Sequence, residues 1–183
     1  NYHPDVNKGR NHVLALMFDM NLLWERFVYV SLKKGLKKSG SDFTIHNQTF
    51  KYFWKPDKGN RSRIIPDIVI NKDREGAGCV VLDTKWKNLN GYNPSPDDLR
   101  QLYVYQDYYD ARKGALVYPG TVQNLSCGKY LDRETGQAID KECSVITIPV
   151  HESIVSWQKS IFEEVNEWLM YSDVQKNLEA DLK

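Results

Sequence analysis

The stretch IIPDIVINKDREGAGCVVLDTKWK, Ile64 to Lys87, decides the fold. Two runs rich in Ile and Val flank a segment of Gly, Asn, Asp and Lys, which is the pattern of two strands joined by a hairpin turn. Pro66-Asp67 opens the first run and Asp83-Thr84-Lys85 closes the second. Charged groups at the ends of apolar strands are costly to bury, so their presence asks for a use. Alternation puts Asp83 and Lys85 on one face of their strand and Thr84 on the other. Strands lying side by side would bring Asp67 and Asp83 together as two hard carboxylate ligands for Mg²⁺, with the Thr84 backbone carbonyl as a third. Lys85 would point to the same metal, and phosphodiester hydrolysis, which needs charge on the scissile phosphate offset and a water activated, could use it to orient or activate that water and balance charge. The plainer alternative leaves Asp67 and Asp83 as strand-end acids bonded to backbone amides, and Lys85 as an edge charge that discourages aggregation.

Outward from this pair, the spacing predicts a helix from about Leu14 to Lys38, with Gly35, Gly40 and a lysine cluster suiting its C-terminal end. TFKYFW, Thr49 to Trp54, reads as a strand, and Pro56-Asp57-Lys58-Gly59 as a turn. Ser95-Pro96-Asp97-Asp98 carries helix-start signals: an N-cap, a proline at the first position and acids in the first turn. GALVYP and SVITIPV read as strands around a polar, turn-rich segment from Gly120 to Glu142, and an amphipathic helix follows from about Glu152 to Tyr171. The order helix, three strands, helix, two strands, helix implies an α/β domain with helices packed on a central mixed sheet.

Two helices add candidates. At about 100° per residue, Glu25 falls within about 60° of Leu14, Phe18, Leu22, Val28, Tyr29, Leu32 and Leu36, in the middle of an apolar stripe. A glutamate there either snorkels to the edge of the core or serves a polar site beneath the helix. Gln101, Tyr105, Tyr108 and Arg112 share one face of the next helix and offer amide, phenol and guanidinium groups to a DNA backbone or to water near a metal. Aromatic packing is the alternative for that face.

Composition sets bounds. The 183 residues, 41% of them hydrophobic, fit one domain spanning 1–183 that buries roughly 70% of its unfolded surface. Three cysteines without CxxC spacing and four scattered histidines argue against structural zinc and read as reduced thiols in a cytoplasm. No apolar run approaches the ~18 residues of a membrane span. Net charge is +1, but Lys8–Arg63 holds 12 Lys/Arg against 4 Asp/Glu, giving +8, while Tyr130–Lys183 holds 5 against 11, giving −6. The basic part could face a polyanion, or the charges could simply be solvated.

Taken together, Glu25, Pro66-Asp67, Asp83-Thr84-Lys85 and Gln101-(x)₃-Tyr105 resemble the PD-(D/E)xK nuclease superfamily in the branch with a Gln-x-x-x-Tyr helix. FDMNLLWERFV, RIIPDIVI, VVLDTKWK, DLRQLYVYQDYY and ALVYP, between Phe18 and Pro119, resemble more closely the C-terminal nuclease region of the McrC family. That family supplies the endonuclease subunit of McrBC systems, which restrict DNA containing modified cytosine. The resemblance implies a restriction-endonuclease-like core and an Mg²⁺-dependent DNA endonuclease, with Mn²⁺ as a substitute cation. Asp67 and Asp83 would be metal ligands, Lys85 catalytic, and Glu25, Gln101 and Tyr105 supporting. It also implies an McrB-like AAA+ GTPase hexamer as partner, in agreement with the absence of a GxxxxGK[ST] loop here. Cutting both strands with one site per chain points to a working dimer. The chain reads as the nuclease part of a longer subunit. A stand-alone repair nuclease and a catalytically silent DNA-binding module are the competing readings.

Overall fold

The computed structural model describes residues 19–73, 78–89, 91 and 93–180. The part of the expected first helix before residue 19, and residues 74–77 of the expected hairpin turn, lie outside the described residues.

Helix α1 (Met20–Ser39) starts where the Asp19 carboxylate accepts hydrogen bonds from the amides of Asn21 and Leu22. It stops at Gly40, whose φ of 66° is the left-handed conformation that glycine tolerates. Five short strands follow: β1 (Ile45–Asn47), β2 (Lys51–Trp54), β3 (Ser62–Ile64), β4 (Ile68–Ile70) and β5 (Val80–Thr84). Helix α2 (Pro96–Tyr109) is capped by Ser95 as its sequence predicts. Then come β6 (Lys113–Gly120), β7 (Asn124–Ser126), β8 (Lys129–Leu131), β9 (Ala138–Pro149) and helix α3 (Ile154–Ala180).

The main sheet runs β1-β4-β5-β6-β9-β7, with β8 also on β9, while β2 and β3 form a separate two-stranded hairpin. β4 pairs with β5 antiparallel, whereas β5, β6 and β9 are parallel. This is the central mixed sheet flanked by helices that the sequence implies.

Strand alternation sorts the core into two halves. Ile68, Ile70, Val80 and Leu82 meet Trp24, Val28 and Leu32 of α1 and Ile161, Val165 and Trp168 of α3. Val69 and Val81 meet Leu102, Tyr105 and Tyr109 of α2 on the opposite face. Each fully buried aliphatic side chain contributes roughly 1.5–3 kcal/mol, so this two-faced burial dominates the stabilisation of the strands. Helices α1 and α3 approach so closely that a Cβ at Gly35 would stand 2.1 Å from the Phe162 ring. The Trp24 indole donates to the Val117 carbonyl at 3.1 Å and stacks on Trp157 at 5.4 Å, locking α1 across the sheet.

Several expectations need correction. The Ile64–Ile70 run is broken at Ile65-Pro66, because proline has no N–H for a ladder; Ile64 ends β3 and only Ile68–Ile70 is β4. Strands β1, β7 and β8 escape notice because they are three residues each and are specified by their partners rather than by an apolar pattern of their own. α2 ends at Tyr109, where Asp110 turns left-handed with φ 50°, so Arg112 is not on the helix face assigned to it.

Candidate active site at the ends of β4 and β5

The β4–β5 register pairs Ile68 with Leu82, and one step further it sets Asp67 across from Asp83. Asp67 has left the pleat. Its Oδ2 accepts from the Thr84 amide and from the Thr84 hydroxyl, both at 2.7 Å, and so closes the ladder with a side chain. The plainer reading of Asp67, a strand-end acid on a backbone amide, is thus part of its geometry. Where the sequence reading offers Thr84 through its carbonyl, the contacts observed are through its amide and hydroxyl.

Asp83 shares the parity of Val81 and points to the α2 side. It is 1% exposed. Its Oδ2 is buried and is met by the Lys85 ammonium alone, 2.7 Å away as an ion pair. Lys85 donates at 2.8 Å to Gln101 Oε1, and Gln101 Nε2 donates at 2.7 Å to the Tyr105 hydroxyl. The four residues predicted from two distant motifs therefore form one chain of contacts, Asp83 to Lys85 to Gln101 to Tyr105. The i, i+4 spacing on α2 puts Gln101 and Tyr105 on one face, and α2 lies over β5.

Burial pushes the Asp83 carboxyl up to about 7, Asp67 beside it adds to the rise, and Lys85 offsets part of it. Burial also raises Asp67, against the hydrogen bonds from Thr84 and the charge of Lys85. Burial raises Glu25, and the charge of Asp67 raises it further. Burial pushes the Tyr105 phenol up to about 12, so it stays protonated near neutrality.

Glu25 reaches this group by a different route from the expected one. The buried stripe of α1 is Trp24, Val28, Leu32 and Leu36, and Leu22 is 54% exposed. Glu25 consequently sits at the edge of the stripe, where its carboxylate accepts from Gln48 Nε2 at 3.1 Å. Tyr108 and Arg112 do not join the site. The Tyr108 hydroxyl donates to the Phe53 carbonyl at 3.3 Å, and Arg112 pairs with Asp140 at 3.0 Å. Sequence reasoning missed a neighbouring cluster in which Asp98 meets Lys87 and the Tyr118 hydroxyl. Its only sequence signal, Asp98 in the first turn of α2, reads as a helix cap.

Among the described residues no group of three or more His, Cys, Asp and Glu is placed to hold a metal. The protein donors available here are two carboxylates with raised pKa values. Mg²⁺ keeps several waters and binds through one or two carboxylates, so this donor set fits it. The buried Asp83 Oδ2, met only by the Lys85 ammonium, supports that fit. All three cysteines are free.

Fold and site together define a mixed α/β protein, a central mixed sheet flanked by helices, that carries a carboxylate–lysine pair at its strand ends. The chain belongs to the family described as McrBC 5-methylcytosine restriction system component, which matches residues 1–119. It is similar to a chain of the half-complex from a tetradecameric assembly of Thermococcus gammatolerans McrB AAA+ hexamers with bound McrC. There the identity is 25% and the TM-score 0.54, over 81% of this chain and 33% of that one. The chain thus spans about a third of the length of that relative. The crystal structure of SSO0001 is 16% identical with a TM-score of 0.40, over 84% of this chain and 61% of that one, a likeness too slight to carry an argument. No curated protein matches the chain. The McrC-family resemblance drawn from the sequence agrees with the family match and with the likeness to the complex containing McrC.

Proposed function

We propose that the chain is the DNA-cleaving part of an McrC-type subunit, an Mg²⁺-dependent endodeoxyribonuclease that also works with Mn²⁺. It acts beside an McrB-like AAA+ GTPase, in two copies when both strands are cut. The observation that carries this reading is Asp83 Oδ2, buried across from a second carboxylate with only a lysine for company. Family membership and the likeness to the McrB–McrC assembly support the choice of partner.

Asp67 and Asp83 would hold Mg²⁺, with the Thr84 carbonyl as a further donor. A bound Mg²⁺ supplies Lewis-acid stabilisation of phosphoryl charge and makes water more acidic. Thr84 fixes the Asp67 carboxylate through two hydrogen bonds. Lys85, tethered by Gln101, places a positive charge where the phosphate becomes more negative. Tyr105 accepts from Gln101, which leaves its own proton available to a phosphate oxygen. Glu25, at the near edge of α1, adds negative charge on the side of Asp67 and tunes cation affinity.

The test is cleavage of methylated and unmethylated supercoiled plasmid in Mg²⁺, Mn²⁺ or EDTA, with and without the partner and GTP. The chain alone should cut slowly, only with a divalent cation and without regard to methylation, and Lys85→Ala should remove that activity. Efficient methylation-directed cutting should require partner and GTP. Cleavage that persists in EDTA, or none in either cation even with the partner, overturns the reading.

A further inference from the structure

The β2–β3 hairpin takes no part in the site as described. It stands apart from the main sheet, and Phe50, Tyr52, Phe53 and Trp54 are between 45% and 56% exposed. The segment Lys51–Arg63 contains Lys51, Lys55, Lys58, Arg61 and Arg63 against Asp57 alone, a net +4. The cations stand on the rings. The Arg61 guanidinium is 3.8 Å from the Tyr52 centroid and that of Arg63 is 4.9 Å from Phe50, while Phe50 and Tyr52 meet edge to face at 5.6 Å. Tyr52, Lys55, Gly59, Asn60, Arg61 and Arg63 line an open cleft of about 530 Å³.

The hairpin is also fastened to the helix that carries Gln101 and Tyr105. Phe53 packs edge-on against Tyr108 with centroids 6.4 Å apart, the Tyr108 hydroxyl donates to the Phe53 carbonyl, and the Lys51 ammonium donates to the Tyr108 carbonyl. A second cleft of about 470 Å³ is lined by Phe53 and Arg63 together with Gln101 and Tyr105. The aromatic surface and the active site therefore share a wall.

Half-exposed rings interleaved with guanidinium groups match a single nucleic-acid strand, whose bases offer π-faces and whose phosphates meet the cations. A duplex hides those faces in its stack. An acidic peptide would use the charges but leave the rings idle. We infer that the β2–β3 hairpin is a stacking platform for an unpaired DNA segment next to the cut site. The inference rests on the nuclease reading only for the identity of the polyanion.

The test is fluorescence anisotropy with a labelled oligonucleotide, single-stranded and as duplex, in EDTA so that nothing is cut. The chain should bind the single strand more tightly than the duplex. Tyr52→Ala with Trp54→Ala should weaken single-strand binding about tenfold, and Tyr52→Phe with Trp54→Phe should keep it, which separates ring loss from misfolding. Arg61→Ala with Arg63→Ala should lower the slope of log affinity against log salt by about 1–2. Equal affinity for duplex, alanine variants that bind the single strand as the parent does, or a loss that the phenylalanine variants share, overturns the inference. So does a variant that loses only its association with an McrB-like partner. Binding of this kind by a chain that never cuts would sink the nuclease reading and spare the platform; cutting with the rings dispensable for binding would do the reverse.

Discussion

Asp83 and Asp98 are both buried and both paired with a lysine just past β5, Lys85 and Lys87, yet the protein holds them in opposite ways. Burial works to raise Asp98, but hydrogen bonds from Lys87, Ser95 and Tyr118 outweigh it and hold the carboxyl below its usual range. For Asp83 the burial, with the repulsion from Asp67 added, outweighs the charge and hydrogen bond of Lys85, and the carboxyl is pushed up to about 7. One aspartate has three donors to offset its burial; the other has Lys85 alone. Ionising Asp83 in place is therefore costly, because burial and the charge of Asp67 both oppose the carboxylate. In the proposed reading a bound dication would relieve that cost.

The contrast breaks most sharply by mutation. Asp83→Asn or Lys85→Ala should lower cleavage at least about a hundredfold, roughly 2.7 kcal/mol in barrier, with circular dichroism unchanged. At pH 8, Asp83→Asn should melt at or above the parent temperature, since it removes a carboxylate that is costly when ionised. Either variant cutting within about tenfold of the parent would deny the site its assigned role. Asp98→Asn should do the opposite: a loss of about 1.5–3 kcal/mol of stability through its charged hydrogen bonds, read in a thermal melt, with cleavage within about threefold. Destabilisation by Asp83→Asn together with inactivation by Asp98→Asn would invert the comparison.

Acidity sharpens it. Because the Asp83 pKa is raised on folding from 3.8 to about 7, the native state holds a proton that the unfolded chain has released in that window. Its contribution to stability therefore declines as pH rises from about 4 to about 7. The Asp98 pKa is lowered, so its contribution is present above the ordinary carboxylate range and is lost as pH falls through the folded value. Urea unfolding across pH should show the first trend in the parent and its absence in Asp83→Asn. The Mg²⁺ concentration for half-maximal cutting should rise as pH drops from 8 to 6, as protons compete with the cation for Asp83. The smallest effect should come from Glu25→Gln, a few-fold higher Mg²⁺ requirement with the melting temperature unchanged or slightly raised. A collapsed melt at an unchanged Mg²⁺ requirement would make Glu25 a structural acid.

What was legible in the sequence followed local rules. Pro66-Asp67 and Asp83-Thr84-Lys85 could be read because β alternation fixes which side chains share a face, and Gln101 with Tyr105 because helical spacing does. Ser95 and Pro96 marked the start of α2. Glu25 was misplaced within its helix because Leu22 counts as apolar in a helical projection, while the docking of Trp24 onto β6 and α3 rotates Leu22 out to solvent. Arg112 was lost to a helix end that depends on the left-handed turn at Asp110. The Asp98–Lys87–Tyr118 cluster joins three elements, and no short-range pattern announces it. The hairpin rings read as an ordinary strand, since exposure is a property of the packed chain.

The central claim is that the ends of β4 and β5 form a divalent-cation site, and anomalous diffraction from crystals soaked in Mn²⁺ tests it most directly. The account predicts an Mn²⁺ peak between the carboxylates of Asp67 and Asp83, lost in Asp83→Asn. A peak placed only elsewhere, or none at these carboxylates at saturating Mn²⁺ above pH 7, would contradict it.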